Sequence, residues 1–177
     1  MNKPNSLRDH LLAAVPDLRN NPDRLLMFID NGRVRCTAAT SLSFEYEFNL
    51  QIILTDFSGH QDSVMLPILG WLRVNQAELL VNLDKSANAL KFEVDLLDLT
   101  KVDLSITLPL TERVVVKRSD DGTFAVSHPA DRQYEPYENH GAIQMYADGE
   151  LISEWQPPAA PDGMALSSTH PKRPKND

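Results

Sequence analysis

The sequence predicts an α+β fold, a mostly antiparallel mixed sheet with helices on one face. Three observations lead there. Over Phe44–Thr55 every second side chain is apolar, the signature of a strand with one buried face. Two other segments carry apolar residues at helical spacing, around Leu7–Leu11 and Val64–Leu79. Short Asp/Asn-Gly signals at Asp30-Asn31-Gly32, Asp120-Asp121-Gly122 and Asp148-Gly149 join apolar runs in the way hairpins require.

The elements follow in order. Ser6-Leu7-Arg8-Asp9 has the form of a capping box, so a helix is expected from Leu7 to about Ala14, ending at Pro16. Leu18 falls on a further short turn. Asn21-Pro22-Asp23 is a turn. Arg24–Ile29 and Arg33–Thr37 then read as the two arms of a hairpin folded over Asp30-Asn31-Gly32. In the long strand Ser43–Asp56, Phe44, Tyr46, Phe48, Leu50, Ile52 and Leu54 share one face, and Glu45, Glu47, Asn49, Gln51, Ile53 and Thr55 the other. A helix is expected over Val64–Val81, capped by Asp62 or Ser63, with Pro67 tolerated only near its first turn. Asn82–Asn88 reads as a polar loop. Leu90–Leu97, Val102–Leu108, Arg113–Val116 and Thr123–Val126 read as strands. A small hairpin, Ala142–Tyr146 with Glu150–Trp155, follows a polar aromatic stretch.

This gives a core of residues 1–130, an extension over 131–156 and a proline-rich tail over 157–177 expected to be disordered. The chain has 177 residues, 42% hydrophobic and 24% charged, enough for one core without disulfides. A net charge of −8 and the lack of a long Lys/Arg run argue against nucleic-acid binding. No segment has the length and apolarity of a membrane helix, and the N-terminal residues lack a signal peptide's apolar region. The expectation is synthesis in a reducing cytoplasm, with the single Cys36 as a small, buried, reduced side chain.

No catalytic pattern stands out. His60 and Asp62 could pair as a base and its orienter, but Asp62 at a helix start reads more simply as an N-terminal charge. Glu93, Asp95, Asp98 and Asp103 could hold a divalent cation, yet their spacing equally makes them the solvated face of two strands. His128 and His140 fall in no zinc-binding pattern, and there is no P-loop, dinucleotide fingerprint or nucleophile elbow. No catalytic residue, metal site or cofactor is expected.

Met1-Asn2-Lys3-Pro4 with Ser6-Leu7-Arg8, Ala14-Val15-Pro16, Asn21-Pro22-Asp23-Arg24-Leu25-Leu26 and Phe28-Ile29-Asp30-Asn31-Gly32 form one collinear series. It continues through Leu42-Ser43-Phe44-Glu45-Tyr46, Gly59-His60-Gln61-Asp62, Leu66-Pro67-Ile68-Leu69, Trp71-Leu72-Arg73-Val74 and Leu108-Pro109-Leu110-Thr111-Glu112-Arg113-Val114. The series resembles the tail completion protein R family of Peduovirus-like contractile-tailed phages, from Met1 to about His128. The resemblance implies a tail-terminator-like structural protein at the head-proximal end of the tail. It would stop tube and sheath growth and prepare the tail for head joining. Its implied partners are further copies of itself in a six-fold ring, tube or sheath proteins, and neck or head-completion proteins. The family offers no catalytic residues to carry over. The loop Asp30, Asn31 and Gly32 and the strand face bearing Glu45 and Glu47 are the expected subunit or tail-tube contacts. A neck or head–tail connector, a metal-dependent hydrolase using the acidic strand residues, and a generic adaptor are the alternatives.

Overall fold

A computed structural model describes residues 1–36, 41–97, 100–131 and 141–156. The chain runs through α1 (Lys3–Ala14), α2 (Pro16–Asn20), β1 (Leu25–Cys36), β2 (Phe44–Phe57) and α3 (Asp62–Asn75). It continues through α4 (Glu78–Val81), α5 (Leu83–Ser86), β3 (Lys91–Leu96), β4 (Val102–Arg118), β5 (Phe124–Ser127), β6 (Ile143–Ala147) and β7 (Glu150–Trp155). The main sheet has the order β1-β2-β4-β3, with β5 on β4, and every pairing is antiparallel. The expected α+β class holds.

The core forms where the apolar file of β2 meets that of β4. Phe48, Leu50, Ile52 and Leu54 lie buried beside Leu104, Ile106, Leu108 and Leu110. Leu7, Leu11, Leu18, Ile68, Trp71 and Leu72 cover this face from α1, α2 and α3. Each such fully buried aliphatic side chain contributes about 1.5–3 kcal/mol of transfer free energy. Trp71 keeps its indole N–H satisfied by donating to Ser6 Oγ at 3.1 Å. The second, two-stranded sheet, β6–β7, rests on α1 and α3. There Trp155 meets the His10 ring edge-on, and Ser153 Oγ donates to the Ala14 carbonyl at 2.9 Å. The turn at Asp148 and Gly149 has both residues at positive φ, as the Asp-Gly signal requires.

Several expectations are corrected. Asp30-Asn31-Gly32 does not fold a hairpin. The two expected arms are one strand, β1, and both pair with β2: Leu25–Asp30 against Leu54–Asn49, and Arg33–Cys36 against Glu47–Phe44. The turn chemistry is absorbed by a bulge between Asp30 and Arg33, with Asn31 in the left-handed region at φ 51° and its N–H bonded to Asp30 Oδ1. Pairing with the longer β2 satisfies the backbone of both arms, which a small self-contained hairpin would do less fully. Thr37, the expected end of the second arm, lies outside the described residues.

The expected single helix over Val64–Val81 is two helices, α3 and α4. Gln76 breaks it, because its side chain is buried in bonds to Lys3 and Thr111. Pro67 sits in the second turn of α3 rather than the first, and the helix continues through it. Gln61 is its N-cap residue, without a side-chain bond, while Ser63 Oγ donates back to the His60 carbonyl. Asn82–Asn88 contains the short helix α5, capped by the Asn82 side chain. The two strands expected over Val102–Leu108 and Arg113–Val116 are the single strand β4. Cys36 is exposed, because it ends β1 beyond the reach of the helical cover.

Candidate functional site

One face of the main sheet lies under the helices. On the other, cross-strand neighbours form rows that the register defines. At one end Arg35 stands beside Glu45, and Glu45 beside Arg113. The next row holds Arg33, Glu47 and Thr111. Arg33 reaches Glu47 through two hydrogen bonds, 2.8 Å from Nε and 2.5 Å from Nη2, and Arg35 reaches Glu45 at 2.6 Å. The Arg33 hydrogen bonds hold the Glu47 carboxyl below its ordinary value, against the small cost of burial. The row after the bulge holds Asp30 beside Asn49. The five residues expected to make contacts, Asp30, Asn31, Gly32, Glu45 and Glu47, therefore lie together at one end of β1 and β2. What the sequence did not reveal is that Glu45 and Glu47 are already engaged by arginines of their own chain.

The other chemistry-bearing candidates are dispersed. His60 Nδ1 accepts the Asp62 backbone N–H at 3.2 Å and lies 3.6 Å from the Asp62 carboxylate, at an exposed turn. Asp95 stands opposite Asp103, and Glu93 opposite Ser105. Asp103 Oδ1 accepts the Asp56 backbone N–H at 2.9 Å. Asp98 and His140 lie outside the described residues. Among the described residues, no group of three or more His, Cys, Asp or Glu side chains could hold a metal ion.

A buried polar cluster escaped the sequence reading. Glu112 occupies the apolar file of β4, between Leu110 and Val114, and only 3% of its surface is exposed. Its carboxylate accepts the backbone N–H groups of Asn2, at 2.8 and 2.9 Å, and Lys3, at 3.0 Å, and thus caps the N-terminus of α1. His128 Nδ1 is 2.6 Å away. Burial alone would raise this carboxyl; the Lys3 and Asn2 amides and His128 outweigh it and hold it below its ordinary value. Alongside, Lys3 Nζ donates to Gln76 Oε1 at 2.6 Å and Asp131 Oδ2 at 2.7 Å. Burial lowers the Lys3 ammonium, against the pull of Asp131. The cluster ties α1, α3, β4 and the start of the C-terminal extension together. The available signal was parity: an acidic residue where the alternation Leu108, Leu110, Val114 calls for an apolar one.

The family model for P2 phage tail completion protein R matches residues 1–132 of this chain. The chain belongs to the P2 phage tail completion protein R family. It is a phage tail completion protein, a structural component of the tail. Tail completion protein R of Escherichia phage P2 is 38% identical over 155 residues, which is 88% of this chain and 99% of that protein. The likeness to that relative therefore continues past residue 132. No solved structure matches the chain.

Proposed function

We propose that this tail completion protein R family member acts at the head-proximal end of a contractile tail, as a closed ring of copies. There it stops tube and sheath growth and makes the tail competent to join a filled head. Its role is structural and not enzymatic. Family membership over residues 1–132 carries this reading. The sheet supports it, since among the described residues β1 and β3 end the strand order, with outer edges on opposite sides. Electron microscopy of an induced lysate lacking the gene tests the function. Overlong or ragged tails beside unattached filled heads are expected, and normally joined particles would overturn it.

The surface around Asp30, Asn31, Gly32, Glu45 and Glu47 is the contact region in this reading. Glu45→Lys combined with Glu47→Lys releases Arg35 and Arg33 from their partners without touching the core. The expected outcome is a folded protein, judged by circular dichroism, that no longer supports normal tails. Normal tails from this double variant would remove the contact assignment.

A further inference from the structure

Among the described residues β1 and β3 end the strand order, and their outer edges fit each other. The pairing order makes β1 and β4 run one way and β2 and β3 the other. If β3 of one copy lies beside β1 of the next, the antiparallel alternation continues unbroken, with all helices on the same side of the sheet. Such a contact is head-to-tail, the type that closes into rings.

The side chains select a register. Arg33 and Arg35 stand on the open face of β1, two residues apart, with side chains 70% exposed. Glu93 and Asp95 stand on the same open face of β3, also two apart. In antiparallel pairing, Asp95 meets Arg33 as Glu93 meets Arg35. The same register sets Val94 against Val34, which is 60% exposed, and Phe92, 59% exposed, against Cys36. The row Arg113–Glu45–Arg35 then gains Glu93 of the neighbour, and charge alternates across the junction. A guanidinium has donors enough for two carboxylates. Two-fold pairing of β3 with β3 centred on Val94 would instead set Glu93 against Asp95, which opposes that register.

We propose that the ring invoked above closes by sheet augmentation, with β3 of each copy pairing antiparallel to β1 of the next through Arg33–Asp95 and Arg35–Glu93. This rests on the proposed ring, and its occupant is a second copy of this chain.

The test uses a chain with Cys36→Ser, Val34→Cys and Val94→Cys, supplied to a lysogen lacking the gene. Purified tails are oxidised and run on a denaturing gel. A ladder of cross-linked copies that needs both new cysteines is the expected result. Tails that contain the protein but give no ladder, or cross-links only to another tail protein, overturn the interface while leaving tail completion intact. Glu93→Lys with Asp95→Lys gives a second readout should the cysteine chain not fold. This exposed double variant is expected to keep its circular dichroism spectrum and to be lost from purified tails. Retention on tails at the parent level overturns the proposal.

Discussion

Glu112 shows how one residue decides whether two distant segments stay together. It is a charged group in a file of leucines and valines, and it is tolerated because the first amides of α1 and His128 surround it. Removing it leaves part-buried donors without this partner. Glu112→Ala is expected to cost about 2 kcal/mol, read by denaturant unfolding. At Gly59 the constraint is steric. A Cβ there would lie 2.7 Å from Cζ of Phe57, whose ring is buried. Gly59→Ala should therefore force the ring aside, with a loss of about 1–3 kcal/mol in the same measurement.

At the scale of elements, β6–β7 shares the main core through a single aromatic side chain. Trp155 belongs to the buried cluster and lies 3.6 Å from where a Cβ on Gly70 would stand. Trp155→Ala is expected to cost about 3 kcal/mol. Amide exchange would rise across Glu150–Trp155 while β2 and β4 keep their protection. Unchanged exchange in β7 would mean that Ser153 and its bond to Ala14 hold the hairpin unaided. The bulge in β1 is the other element with a consequence. It keeps Arg33 and Arg35 on the face that also holds Glu45 and Glu47, which the register of Leu25–Asp30 continued without a bulge would not.

At the scale of the whole molecule, two groups packed against the core contribute to the response to acid. Burial lowers His10, whose Nε2 lies 3.1 Å from the Pro67 carbonyl, and the amides around Glu112 outweigh its burial to lower it too. In both cases the unfolded chain binds a proton more readily than the folded one, so both contributions are present at neutral pH and fade as pH falls. The His10 contribution fades below the ordinary histidine value of 6.5 and the Glu112 contribution below the ordinary carboxyl value of 4.5. Melting temperature is expected to drop in two stages between neutral and acid pH. His10→Gln should flatten the first stage and Glu112→Gln the second, and parallel curves for parent and variants would contradict this.

Much of the fold was legible because it rests on period. The alternation along Phe44–Leu54 places one face inward whatever the neighbours are, and β2 buries the expected Phe48, Leu50, Ile52 and Leu54. Turn chemistry at Gly122 and Gly149 was legible for the same local reason, since positive φ favours glycine. The collinear series of short segments also determined the family, which the match over residues 1–132 shows. Tertiary structure decided what depends on partners. Asp30-Asn31-Gly32 satisfies a turn or a bulge equally well, and only the length of β2 opposite it selects the bulge. Gln76 ends α3 because Lys3 and Thr111 wait for its side chain. Glu45 and Glu47 read as contact residues from sequence, and only the register set Arg35 and Arg33 of the same chain beside them. Local sequence carries period and turn propensity, whereas the register of strands and the partner of a charge are set by residues far away along the chain.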